Sequence, residues 1–154
     1  MTASSPRRQR PPYDPWLHLA TDWPELDVVV EPMTGALLGE LRYPVIALRA
    51  GTSAAQRRCT LAHELVHLDR GTGDCGPWSA REEGLVHAEA ARRLIRIGDL
   101  DRALRELGGD AHLGALAEAL EVDTETARVR LRGLEPAERW HLRARLSTTL
   151  WPVA

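Results

Sequence analysis

The feature that most constrains the fold is the pentapeptide His63-Glu64-Leu65-Val66-His67, because it lies in a segment whose apolar residues recur at helical spacing. Ser53 is a suitable N-cap and Gly71 a suitable stop, so the segment predicts a helix between them. Residues four apart lie on one helical face, with Cβ atoms about 5–6 Å apart. Two imidazoles and a carboxylate on a largely apolar helix need polar partners, because burying them alone costs free energy.

The spacing of the two histidines fits a metal ion. Two imidazoles one helical turn apart can bind a single Zn²⁺ at about 2.0–2.1 Å. Glu64 is rotated by roughly 100° from His63 about the helix axis, so it could instead take a proton from a water activated by the metal. The sequence therefore predicts a zinc site on His63 and His67, with Glu64 as the general base.

A third zinc ligand must come from outside the pentapeptide, since no histidine follows at the spacing of the longer His-Glu-x-x-His-x-x-Gly-x-x-His pattern. A second helix, predicted from Ser79 to about Ile97, offers two adjacent glutamates. Glu82 stands at capping-box spacing from Ser79, whereas Glu83 begins an apolar stripe that must face the core. We expect Glu83 to be the ligand. The alternatives are Glu82, His87 and Asp69.

Two segments together carry a family pattern. They are Cys59-Thr60-Leu61-Ala62-His63-Glu64-Leu65-Val66-His67 and Glu83-Gly84-Leu85-Val86-His87-Ala88-Glu89-Ala90-Ala91-Arg92-Arg93-Leu94-Ile95. The pair resembles the ImmA/IrrE-type metallopeptidases, a gluzincin-like family. The resemblance implies zinc held by His63, His67 and Glu83, with Glu64 as the catalytic residue.

The resemblance also implies a biological role. Members of this family cleave a specific intracellular protein partner such as a transcriptional repressor, often within a phage or mobile-element switch. The chain departs from the family pattern at His87, where Asn or Asp is usual, and at Glu89, where Phe is usual. His87 is expected either to orient a zinc ligand or to line the core or surface without a role. The group that stabilises the oxyanion is left open among Tyr43, His112, His141 and several arginines.

Three short segments have the composition of β-strands: Leu26–Glu31, Ala36–Arg42 and Pro44–Arg49. Because short loops join them, we predict a small antiparallel meander near the N-terminus. A free edge near Pro44–Arg49 could hold a substrate in an extended conformation. The predicted fold class is α+β, with the meander packed on a zincin-type helical core and followed by C-terminal helices.

The predicted organisation has three parts. Residues 1–12 are polar and basic and predict a disordered tail. Residues 13–98 form the metallopeptidase core with the meander and both zinc-binding helices. Residues 99–154 form a C-terminal helical subdomain, whose segment 112–132 resembles a helix-turn-helix.

The helix-turn-helix pattern raises the question of DNA binding. Arg128, Arg130 and Arg132 would be the contacts. The net charge of −2 gives little support to phosphate-driven binding, so we expect a packed helical cap instead. Two alternatives to the peptidase stay open: a DNA-binding regulator with a structural metal site, and an antirepressor that binds its partner without cutting it.

The composition also indicates a compartment. No stretch approaches the roughly 20 apolar residues that span a bilayer, and no apolar segment follows the basic N-terminus as in a secretory signal. Cys59 and Cys75 make no disulfide framework. We therefore expect a cytoplasmic protein with no membrane partner.

Overall fold

The computed structural model describes residues 12–71 and 80–146. The predicted tail, apart from residue 12, lies outside the described residues, and so do Cys75 and the predicted cap Ser79. Seven α-helices, a short 3-10 helix at Gly108–Asp110 and three strands make up the described part. The helices are α1 Pro15–Asp22, α2 Ala54–Asp69, α3 Ala80–Leu94, α4 Ile97–Leu107, α5 Leu113–Ala119, α6 Thr124–Arg132 and α7 Pro136–Arg145, and the strands are β1 Asp27–Glu31, β2 Gly39–Arg42 and β3 Val45–Arg49. The predicted α+β class with C-terminal helices is confirmed.

The sheet is mixed, so the predicted antiparallel meander is wrong in its topology. Its strand order is β1-β3-β2. β1 runs parallel to β3, with Asp27 opposite Val45, and β2 runs antiparallel to β3, with Gly39 opposite Leu48. Residues 46–48 of β3 are completely buried, and the most apolar strand gains most by lying between the other two. The free edge predicted near Pro44–Arg49 is therefore wrong, because β3 is the central strand.

Helix α2 lies between two parts of the core. The Ser53 side chain accepts a hydrogen bond from the Gln56 backbone N–H, and Gln56 accepts one from Ser53 in return, so a capping box fixes the start of the helix. Leu61 and Leu65 pack with the sheet residues Ile46 and Leu48. The opposite side of α2 packs into a larger helical cluster. The pentapeptide thus sits on the central element of the molecule.

The larger cluster joins α2 to the C-terminal helices. It includes Val66 on α2, Val86 on α3, Leu104 on α4 and Leu142 on α7. The boundary predicted between residues 98 and 99 stays a prediction. No described helix is long and apolar enough to cross a membrane.

The predicted helix-turn-helix corresponds to α5 and α6. Arg130 is only 3% exposed; it donates to the Ile95 carbonyl at 2.8 Å and to Glu138 at 2.9 Å. Arg128 forms an ion pair with Glu125. Because Arg130 is buried and already bonded, it is not available as one of the three DNA contacts of that alternative.

Candidate metal centre

Three side chains from α2 and α3 converge. Glu83 Oε2 lies 3.2 Å from His63 Nε2, and Glu83 Oε1 lies 3.3 Å from His67 Nε2. The two Nε2 atoms are 3.1 Å apart. One candidate ligand atom from each residue lies within 4.8 Å of the others, so this group could hold a metal ion.

Two of the three other candidate ligands, Glu82 and Asp69, pair with other residues, whereas His87 lies against His63. Glu82 pairs with Arg70 at 2.8 Å. Asp69 pairs with Arg93 and lies 3.5 Å from His18. Both glutamates are in the first turn of α3, but only Glu83 faces the two imidazoles. Its role as a metal ligand stays a prediction.

Burial favours the neutral form of both imidazoles. Burial, with smaller contributions from His87 and His67, lowers the pKa of His63 from 6.5 to about 3. Burial also lowers the pKa of His67. A neutral imidazole offers a free nitrogen lone pair, and two such nitrogens with one carboxylate match the ligand set of catalytic zinc sites. The residues present therefore fit a zinc ion.

Glu64 lies beside the group of His63, His67 and Glu83 without belonging to it. The residue is 8% exposed, and its carboxylate accepts a hydrogen bond from the Leu41 backbone N–H on β2. Burial, followed by the neighbouring carboxylates Glu83 and Glu40, raises the pKa of Glu64 from 4.5 to about 7. A carboxyl group with this pKa can both accept and release a proton near neutral pH.

The edge strand β2 borders the site. Arg49 donates its backbone N–H to the Leu38 carbonyl, so residues at even positions of β2 bond to β3, and the backbone groups of Gly39 and Leu41 face outward. Strand β2 comes close to α2, because a Cβ atom built on Gly39 would lie 2.2 Å from Thr60 Cγ2. The close approach brings the Leu41 N–H to Glu64.

A cleft of about 380 Å³ lies beside this group, and His63 and Glu83 are among its lining residues. Its described lining comprises Ala36, Leu37, Leu38, Gly39, Cys59, Thr60, His63, Glu64, Glu83, His87, Ala90, Asp123, Glu125, Thr126 and Val129. Burial raises the pKa of the Cys59 thiol to about 11, so this thiol is protonated. The oxyanion candidates Tyr43, His112 and His141 are not among the lining residues.

The sequence did not predict that two segments of the chain would line this cleft. One is the β2 edge with residues 36–39, and the other is the first part of α6, where Asp123 caps the helix by accepting from Thr126 N–H. The sequence marks Asp123 as a turn residue before a helix. It carries no indication that this turn faces residues about 60 positions earlier, since that contact depends on how α6 packs on α3.

Comparison with known proteins identifies the family of the chain. No curated protein and no solved structure matches the chain. The peptidase M78 family, described as the IrrE N-terminal-like domain, matches residues 25–132. This span contains the sheet, the His63–His67–Glu83 group and α6. The match covers well over half of the chain, and the chain therefore belongs to the IrrE N-terminal-like family of peptidases.

Proposed function

We propose that the chain is a zinc-dependent metalloendopeptidase that cleaves a specific cytoplasmic protein partner, a repressor-type transcriptional regulator. One observation carries the proposal: Glu64 lies buried beside a three-residue ligand group and lines the same cleft. A purely structural site has no need of a carboxylate held next to the ligands. Membership of a peptidase family supports the same conclusion.

The zinc ion would be held by His63, His67 and Glu83. Their Nε2 and carboxylate oxygen atoms already face one another. When bound, Zn²⁺ supplies Lewis acidity, which polarises a peptide carbonyl and lowers the pKa of water toward about 7. Three protein ligands leave a coordination position open, as in catalytic rather than structural sites.

Glu64 would move the proton. The Leu41 N–H lies close to its carboxylate, and the carboxylate can accept a proton from the attacking water and return it to the leaving amine. Because that N–H belongs to the backbone of β2, the surroundings of the base depend on where this strand lies.

The substrate backbone would lie along β2. The outward backbone groups of Gly39 border the cleft, and an extended peptide can add to a free strand edge through main-chain hydrogen bonds. Leu37 and Leu38 are 47% and 36% exposed beside this edge, so they offer apolar contact to substrate side chains. With the substrate along β2, the scissile bond would lie in the cleft beside Glu64 and the ligand group.

The variant Glu64→Gln tests the proposal. The amide cannot take a proton, so cleavage should fall by about 10²–10⁴-fold, while zinc content stays at the wild-type value because the substituted position lies outside the ligand group. The measurement is metal analysis of the purified protein, followed by mass spectrometry of a candidate repressor-type regulator after incubation. Glu118→Gln, an exposed change on α5, is the matched control.

Other outcomes would support the alternatives. Full cleavage by Glu64→Gln would contradict the proposed role of Glu64. A stable complex with an intact regulator would favour the non-cleaving antirepressor. A salt-dependent gel shift that disappears in Arg128→Ala and Arg132→Ala would favour the DNA-binding regulator with a structural metal site.

A further inference from the structure

Peptide hydrolysis at a zinc site is accelerated by a hydrogen-bond donor to the carbonyl oxygen, and the three ligands and Glu64 do not supply one. Negative charge develops on the carbonyl oxygen as water adds, and one well-placed donor is worth about 10²–10³ in kcat. Such a donor must line the cleft next to the ligand group.

Most side chains in this lining are unsuitable as donors. The Thr60 hydroxyl donates to the Gln56 carbonyl at 2.8 Å. Thr126 is hydrogen-bonded to Cys59, whose thiol also accepts from the Asp123 N–H. No arginine, lysine or tyrosine occurs among the described lining residues. His63 and His67 direct their Nε2 atoms at Glu83.

Among the lining residues that the structure describes, His87 is the side chain that is left as a donor. It lies four residues after Glu83 on α3, so both project on the same helical face. Its ring centroid is 4.4 Å from that of His63, with the ring planes inclined by 50°. The residue is exposed and lines the cleft, yet it is not part of the group His63, His67 and Glu83.

We propose that His87 is a catalytic residue, which donates a ring N–H to the carbonyl oxygen of the scissile peptide bond. The proposal rests on the proposed peptidase function. An imidazole carries at least one N–H in both its neutral and its charged form, so the role does not depend on a particular protonation state. His87 on α3 would donate a hydrogen bond to the carbonyl oxygen, while Glu64 on α2 would accept the proton of the attacking water.

The test compares His87→Ala and His87→Gln with the wild-type full chain, all loaded with zinc. The probe is a fluorogenic peptide chosen from a mixed-sequence library by wild-type cleavage, and the readouts are zinc per chain, zinc affinity, kcat and KM. His87→Ala should lose about 10²–10³ in kcat with KM within about threefold, at unchanged zinc affinity. His87→Gln retains an N–H donor and should recover part of the loss. His141→Ala, outside the described cleft lining, should behave as wild type.

Two results would overturn the inference while leaving the proposed function intact. The first is a His87→Ala enzyme whose kcat stays within about threefold of wild type. The second is a His87→Ala protein that loses zinc, which would make His87 a ligand. A third result differs from both: if the zinc-loaded wild type cleaves neither the library nor the regulator, the proposed function itself fails and the inference fails with it.

Discussion

Gly39 shows how one absent side chain sets the geometry of the site. A Cβ atom there would lie 2.2 Å from Thr60 Cγ2 and 3.2 Å from the Ala47 carbonyl oxygen. No side chain larger than hydrogen lets β2 lie this close to α2. The hydrogen bond from Leu41 to Glu64 depends on that closeness.

The variant Gly39→Ala tests this dependence. We expect it to lower the free energy of unfolding by about 1–3 kcal/mol, as overpacking does, and to lower peptidase activity because β2 moves away from Glu64. Urea unfolding and peptide cleavage are the measurements. The double variant Gly39→Ala/Thr60→Ser removes the nearest methyl group and should regain part of both. If Gly39→Ala were as stable and active as wild type, the close contact between β2 and α2 would not be needed for the site.

Glu82 and Glu83 show what the period of a helix predicts about single residues. The apolar stripe that Glu83 begins was enough to prefer it over Glu82, since the faces of a helix follow from its period. The structure places Glu83 against both imidazoles and Glu82 against Arg70. Whether Glu83 holds zinc stays a prediction.

At the scale of elements, an ion pair links α6 to α7. Arg130 is buried on α6, and Glu138 on α7 is its carboxylate partner. The hydrogen bond from Arg130, opposed in part by burial, lowers the pKa of Glu138 below its usual 4.5. This pair holds α7 against the helices that form one wall of the cleft.

Glu138→Gln should therefore destabilise the protein in a pH-dependent way. At pH 7 the loss should be about 3 kcal/mol, because a buried guanidinium loses its counter-charge. A lowered carboxyl pKa stabilises the fold above the unfolded value, and the contribution is lost as the pH falls through the folded value. The difference between wild type and variant should thus shrink as the pH falls below 4.5 and through the lowered pKa of Glu138. Urea unfolding across pH 7 to 3 measures it. Glu125→Gln, from an exposed pair, should cost less than about 1 kcal/mol, and an equal loss in both variants would contradict the prediction.

Strand order is the element-scale feature that the sequence did not predict. The three strands lie within the predicted segments. However, the loop of residues 32–38 leaves a gap between β1 and β2 in the sheet, and β3 lies in that gap. Loop length alone favoured neighbouring pairing. The completely buried residues of β3 took the central position instead.

For the whole molecule, zinc binding should raise thermal stability. A ligand that binds only the folded state stabilises it by about 2.7 kcal/mol at 100 times its Kd, which is roughly 5–10 °C in Tm for a chain of this size. We expect that increase in wild type and in Glu82→Gln, and little or none in Glu83→Gln. Differential scanning fluorimetry with stepwise zinc addition, reversed by a chelator, measures it. An equal increase in Glu82→Gln and Glu83→Gln would remove Glu83 from the ligand set.

The sequence alone determined what depends on local periodicity: the helix that bears His63, Glu64 and His67, and the helix face on which Glu83 lies. It also determined the α+β class, through segments of β-branched residues followed by helical ones. Only the tertiary structure decided that β2 is the edge strand beside Glu64, that α6 forms a wall of the cleft, and that His87 lies against His63. These features arise from contacts between residues distant in the chain, and such contacts are fixed by how buried surfaces fit together and not by the spacing of residues within one element.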